Sequence, residues 1–345
     1  MAGDLEARAA AGALSGERDG SLVSVNLVQA VDAALAAELE ADPSVVLLGE
    51  DIGRTGGVFR ATAGLQERFG DQRVIDMPAS EAGFVGAAVG MCLAGRRPVV
   101  ELQFDSFSYP AFEQLACHLA RYRWRTGGAV EMAAVVRIPY GGGTHAPELH
   151  SDSPEALFCH TPGLVVVTPS SPADAYGMLR WAIRHPDPVV FMEPKRLYRS
   201  TSGTLPRVPE PPGLLRARVV RPGADLTIVS YGPSVPPSLA AAEMLAARGW
   251  RPEVLDLRSL WPLDEEEILA SVRRTRRCMV VHEAPRSGGV GAEVAALVAE
   301  RALYDLDAPV VRIAGLDVPF PMFMLEEAYL PDPERIAARA EDILA

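Results

Sequence analysis

Lysine and asparagine are almost missing from this chain: Lys195 and Asn26 are the only examples of each among 345 residues. Arginine supplies the rest of the 33 basic residues, which, with abundant Ala, Gly and Pro, fits a GC-rich genome rather than a mechanism. The 45 acidic residues outweigh them, and a net charge of −12 leaves no basic excess to neutralise phosphates, which excludes a nucleic-acid footprint. Four cysteines, Cys92, Cys117, Cys159 and Cys278, lie far apart with no CxxC pair, as in a cytosolic protein with reduced thiols. No window approaches the roughly 18 uncharged apolar residues that a membrane span needs. The opening stretch "MAGDLEARAAAGALSGERDG" has neither the charge nor the apolar run of a targeting peptide, so residues 1–21 read as a disordered tail.

What is present reads as two α/β units. A helical pattern runs through Leu27, Val31, Leu35 and Leu39. Continuous apolar strands follow in "SVVLLGED", "RPVVELQF", "AVEMAAVVRIP", "GLVVVTPS" and "DPVVFMEP". They alternate with helices such as "SYPAFEQLACHLARYRWR" and "PADAYGMLRWAIRH", the pattern of a parallel sheet covered on both faces. A proline-rich passage, 205–221, then separates a domain at 22–204 from a second at 222–345. The second repeats the alternation with "DLTIVSYG", "PEVLDLRS" and "CMVVHEA" as strands.

Within the first unit, "MPASEAGFVGAAVGMCL" carries a single charge, Glu81. Pro78 cannot occupy a helix interior and Ser80 is a good N-cap, so a helix should start at Glu81. Glu81 then either complements the helix dipole or serves as a poised carboxylate. Gly83, Gly86, Ala87, Gly90 and Ala94 recur at helical spacing and make a smooth face for another backbone. Each interior glycine costs about 1 kcal/mol, so the face needs a compensating contact.

Two glycine loops resemble phosphate cradles. "YGGGTHAP" lacks the GK[ST] of a P-loop, and "APRSGGVGAEV" is not GxGxxG and follows the third strand of its unit, so it reads as a tight strand-to-helix turn. His145 and His150 flank Glu148 at no familiar zinc spacing. His150 lies on a loop just before Ser153-Pro154, an N-cap and first-turn proline. There it is either a solvated bystander or a catalytic imidazole.

Taken in order, "VVLLGEDIGRTGGVFRATAGLQERFG", "MPASEAGFVGAAVG", "ELQFDSF", "LHSDSPEA", "FMEPKRLYR" and "GLDVPFP" resemble the beta subunit of thiamine-diphosphate-dependent 2-oxo acid dehydrogenases, over residues 22–345. The resemblance implies a transketolase-like pyrimidine-binding domain followed by a transketolase C-terminal-like domain. It implies oxidative decarboxylation of a small 2-oxo acid, with reductive acylation of a lipoyl group on an acyltransferase core. "FMEPKRLYR" favours a branched-chain acid, with pyruvate as the alternative. A non-enzymatic nucleotide or electron-transfer module is the rival from another class.

By the same resemblance, Glu81 hydrogen-bonds the cofactor's aminopyrimidine nitrogen and favours its imino tautomer. Gln103, Phe107 and Ala79 line the pyrimidine pocket, Ala79 standing where many relatives carry a larger apolar residue. His150 takes part in substrate binding and acyl transfer. Potassium is implied at backbone carbonyls near Ala134, Val135, Ala182, His185 and Asp187. The family's GDG motif and paired asparagines are missing here, so the cofactor's diphosphate and Mg2+ belong to an alpha subunit, in an α2β2 heterotetramer of the bacterial cytoplasm. The C-terminal domain is expected to serve assembly and to carry no catalytic residue.

Overall fold

The computed structural model describes residues 24–205 and 215–345. The tail expected at 1–21 and the prolines Pro206, Pro209, Pro211 and Pro212 lie outside them. The described residues form fourteen strands: β1 (Ser24–Asn26), β2 (Val45–Gly49), β3 (Val74–Asp76), β4 (Arg97–Glu101), β5 (Val135–Tyr140), β6 (Val165–Val167), β7 (Val189–Pro194), β8 (Ser202–Thr204), β9 (Arg218–Arg221), β10 (Leu226–Ser230), β11 (Pro252–Asp256), β12 (Ser259–Trp261), β13 (Cys278–Pro285) and β14 (Val311–Gly315). They build a seven-stranded sheet of order β12-β6-β7-β5-β4-β2-β3, a five-stranded sheet of order β14-β13-β10-β11-β9, and the small antiparallel pair β1-β8. Every pairing from β6 through β3 in the larger sheet is parallel.

The continuous apolar runs are explained by burial on both faces. Along β4, Val99 points to the core packed by helices Leu27–Ala41 and Pro172–Arg184, and Val100 to the opposite core; Val135/Val136 of β5 and Val189/Val190 of β7 alternate in the same way. The second of these cores continues across to Val229, Leu255 and Val280 of the smaller sheet, so the two units share it. A third core, between the smaller sheet and helices Val235–Ala246 and Pro333–Leu344, closes the outer face.

Two segments depart from the sequence reading. The passage 205–221, read as a linker, ends in β9, which pairs antiparallel with β11 in the smaller sheet. Its prolines and arginines mask the signal, yet Val219 and Val220 face different cores. The chain also leaves the smaller sheet after Asp256 and contributes β12, antiparallel to β6, to the larger one. The second unit therefore supplies an edge strand to the first.

The same period of two that buries valines places Glu101, Arg137 and Glu193 on one face. Arg137, 1% exposed, donates to Glu193 at 2.6 and 2.9 Å and to Glu101 at 2.6 Å. Tyr198 also donates to Glu193, at 2.5 Å. Arg137 is thus fully partnered, as a buried guanidinium must be.

Between the units, Tyr231 donates to Glu155 at 2.7 Å, and Glu155's second oxygen is buried with no partner among the described residues. Burial pushes the Glu155 carboxyl up to about 8, from 4.5 in an unstructured chain. The folded state therefore holds a proton that the unfolded chain releases. The resulting stabilisation is complete below about pH 4.5 and is lost as pH rises through about 8. Glu155→Gln, neutral at every pH, should gain stability relative to the parent chain across that interval, by several kcal/mol. Denaturant titrations at a series of pH values measure this, and a difference constant with pH would contradict it.

Candidate functional site

Because the central strands run parallel, their carboxyl ends share one edge of the sheet, the edge where open α/β sheets bind ligands. Glu50 follows β2, Glu81 follows β3, Gln103 and Phe107 follow β4, His150 follows β5, and Lys195 follows β7. The residues singled out as catalytic or pyrimidine-lining thus emerge on one edge. Ala79 lies in the turn between β3 and helix Glu81–Leu93.

Glu81 opens helix Glu81–Leu93, as expected, but Ser80 at the N-cap makes no side-chain cap hydrogen bond. Instead Ser80 Oγ lies 2.8 Å from where a Cβ on residue 83 would sit, which accounts for Gly83. Glu81 is half-buried, and among the described residues no donor reaches its carboxylate. Glu81 contributes to holding Glu50's carboxyl above the ordinary carboxylate range, behind burial and Asp51. Of the small-residue face, Gly86 meets Gln114, whose Oε1 would lie 3.3 Å from an added Cβ. Gly83, Ala87, Gly90 and Ala94 remain exposed on this chain. Gln114 begins a π-helical turn, Gln114–Leu119, within the long helical stretch read from the sequence.

His150 sits in an aromatic pocket. Its ring centroid is 4.3 Å from that of Phe104 and 5.3 Å from that of Phe107, both edge-on. Nδ1 lies 2.8 Å from the carbonyl of Glu148. A carbonyl can only accept, so Nδ1 carries a proton and Nε2 is left without a partner among the described residues. Leu149 before it has φ +67°, a costly conformation for a non-glycine residue that persists only where the surroundings enforce it.

The backbone next to Leu149 is held by the lone lysine, which in the sequence stands out only as a compositional oddity. Lys195 Nζ is 2.6 Å from Asp105, both side chains 0% exposed, and it also donates to the carbonyl of His150 itself. The other Asp105 oxygen accepts from the backbone N–H of Asp152 at 2.9 Å and of Ser106 at 2.9 Å. Asp152 in turn accepts from Ser106 Oγ at 2.6 Å and from Tyr109 at 3.1 Å. Burial raises the Asp105 pKa, and Lys195 opposes the rise. The partners lie 90 and 45 residues from Lys195 in sequence, so no local pattern pointed to the pair.

Ser153-Pro154 behaves differently from the expected cap. Pro154 occupies the N-cap of helix Glu155–Cys159, with no side-chain cap, and Ser153 Oγ donates to Glu283 at 3.3 Å. The second glycine turn packs against a core histidine: a Cβ on Gly291 would overlap His282 Nε2, and burial lowers His282 to about 4. The carbonyls considered for potassium collect at the opposite, amino edge of the sheet. There Ala134 accepts from Val189 N–H at 2.9 Å, Ala182 from His185 N–H at 3.2 Å, and Arg97 reaches Ile183 O at 3.1 Å and His185 O at 3.5 Å. Asp187 pairs through its side chain with Arg123 at 2.7 Å. Asn26, the only asparagine, caps helix Leu27–Ala41 by exchanging hydrogen bonds with Gln29.

Residues 23–201 match the family "Transketolase, pyrimidine binding domain" and residues 215–336 match "Transketolase, C-terminal domain". The chain is 49% identical over 322 residues to a pyruvate dehydrogenase E1 component subunit beta of Leifsonia xyli, covering 93% of this chain and 95% of that one. It is equally 49% identical over 322 residues to a 3-methyl-2-oxobutanoate dehydrogenase subunit beta of Mycobacterium tuberculosis, covering 93% and 92%. A solved split-gene transketolase, titled an inactive beta4 tetramer, shares the fold with a TM-score of 0.75 at 24% identity, over 93% of this chain and 98% of its own. The chain therefore belongs to the beta-subunit family of the 2-oxo acid dehydrogenases, built from a transketolase pyrimidine-binding domain and a transketolase C-terminal domain.

Proposed function

We propose that this chain is half of an active site that decarboxylates a 2-oxo acid and passes the acyl group to a lipoyl carrier. The carrying observation is Glu81: a half-buried carboxylate without a donor among the described residues, on the same carboxyl edge as the clamped His150. Gln103, likewise half-buried, has no hydrogen-bond partner among the described residues. A free carboxyl, a free amide and the ring of Phe107 are the groups an aminopyrimidine would need.

Thiamine diphosphate, when bound, supplies an acidic thiazolium carbon and an electron sink for decarboxylation. Glu81 holds a proton between its carboxyl and the pyrimidine ring nitrogen. Phe107 offers an apolar face to the heterocycle, and Ala79 leaves room beside it. His150, with Nδ1 tied to Glu148, presents Nε2 as a proton acceptor toward the substrate. The diphosphate and its Mg2+ are assigned to an alpha subunit, because the one asparagine here is committed to a helix cap. The exposed face of Gly83, Ala87, Gly90 and Ala94 suits close contact with another subunit, in an α2β2 assembly served by a lipoyl-bearing core.

The substrate is either a branched-chain 2-oxo acid or pyruvate, relatives named for each being 49% identical. The segment "FMEPKRLYR" does not separate them. Glu193, Lys195, Arg196 and Tyr198 are all engaged in internal contacts rather than lining a pocket. No helix of the described residues is long and apolar enough to cross a membrane, and the cytoplasm of a bacterium suits the free cysteines. Burial pushes Cys92 and Cys278 up to about 12, so these thiols are poor electron or metal partners, against the electron-transfer alternative.

Two outcomes test the reading on the heteromer assembled with its alpha subunit. Glu81→Gln keeps size and one accepting oxygen but cannot share a proton; exchange of the thiazolium proton, followed by NMR in deuterated buffer, should fall roughly 10²–10⁴-fold. Unchanged exchange would reduce Glu81 to a helix-dipole partner. His150→Ala should slow single-turnover lipoyl acylation while sparing cofactor binding, and an unchanged rate would make His150 a bystander.

A further inference from the structure

The glycine run Gly141-Gly142-Gly143 looks in sequence like an anion cradle, and the structure shows it filled by the chain's own carboxylates. Gly142 N–H donates to Glu283 at 2.9 Å. Gly143, Thr144 and His145 N–H all converge on Glu326, the last two at 3.0 Å. The glycines are needed for this approach. A Cβ on Gly141, which has φ +84°, would overlap Glu283 Oε1, and one on Gly142 would overlap Phe320 and lie 3.1 Å from Glu326 Oε1. Both carboxylates come from the C-terminal domain, Glu283 from β13 and Glu326 from the short helix Leu325–Tyr329.

These contacts fall on the two ends of the loop that carries His150. Gly141 N–H donates to Asp152 O at 3.0 Å, which closes the loop at its neck. Glu283 holds the entry at Gly142 and the exit at Ser153, and Glu326 holds the three residues after the entry. Arg196, beside Lys195, donates to Pro233 O at 2.6 Å and reaches Glu283 at 3.5 Å, so the clamp on His150 O and the clamp on the loop ends adjoin. Glu283 and Glu326 are 2% and 1% exposed, and a buried carboxylate needs such donors.

We propose that Glu326 and Glu283 are positioning residues for His150, which makes the C-terminal domain part of the acyl-transfer machinery rather than an assembly module alone. This rests on the acyl-transfer role given to His150 above. The nest at Gly143–His145 fixes where the loop leaves the sheet, and the Lys195 clamp fixes where it returns. His150 is the residue whose reach both ends set.

The test is a double-mutant cycle in the assembled heteromer, read by single-turnover lipoyl acylation and by decarboxylation with an artificial electron acceptor. Glu326→Gln keeps the volume but replaces one accepting oxygen by an NH2 that opposes the loop N–H groups. It should slow acylation by roughly 10- to 100-fold, the scale of an ångström-level misplacement, and leave decarboxylation within a few-fold. In a His150→Ala background it should add nothing. Amide exchange should quicken at residues 143–145 while the sheet strands keep their protection. A wild-type acylation rate in Glu326→Gln, alongside slow His150→Ala, would overturn the positioning role alone. Equal slowing in both backgrounds, or loss of protection throughout the chain, would overturn it as a general structural defect. A wild-type rate in His150→Ala would instead remove the reading on which it rests.

Discussion

The Lys195–Asp105 ion pair is the contact on which the site depends. An ion pair with both members fully out of water is not strongly stabilising in net terms, but removing one member costs about 3–5 kcal/mol because the other charge is stranded. Such a pair is a poor choice for stability and a good one for fixing a geometry. Here it links the ends of β4 and β7 and ties both to the backbone of His150. A chain that otherwise uses arginine wherever it needs a cation keeps a lysine at this one point. A compact ammonium can bond a carboxylate and a carbonyl in a space too small for a planar guanidinium.

The buried charges of the molecule fall into separate arrangements with separate tasks. Arg137 between Glu101 and Glu193 ties adjacent strands together on one face of the larger sheet. Glu155 with Tyr231 joins the two units as a protonated acid, and Glu283 and Glu326 hold backbone N–H groups across the same boundary. Glu81 stands without an internal donor among the described residues, as do Asp32 on helix Leu27–Ala41 and Glu50 on the same carboxyl edge.

Much of this was legible in the sequence, and the gaps have physical causes. Burial on both faces makes strands β2, β4, β5, β6, β7, β10, β11 and β13 continuous apolar runs, visible to inspection. The short edge strands β9 and β12 were not, because three or four residues carry too little periodicity and their partners are distant in sequence. Glu81 could be singled out because it is the one charge in an apolar stretch, whereas the loop position of His150 left a bystander and a catalytic imidazole both open until the family resemblance favoured the second. The Lys195 clamp and the carboxylates in the glycine nest could not be read, since both depend on contacts spanning 45 to 183 residues. A glycine run signals that something approaches the backbone closely, and it does not say whether that is a phosphate or the protein's own glutamate.

On this reading the chain supplies the pyrimidine side of a shared site and no more. Calorimetric titration of thiamine diphosphate with Mg2+, into the isolated chain and into the chain reconstituted with its alpha subunit, tests it directly. Weak or undetectable binding to the chain alone, becoming tight and stoichiometric in the heteromer, is the predicted result. Tight stoichiometric binding by the isolated chain would contradict it.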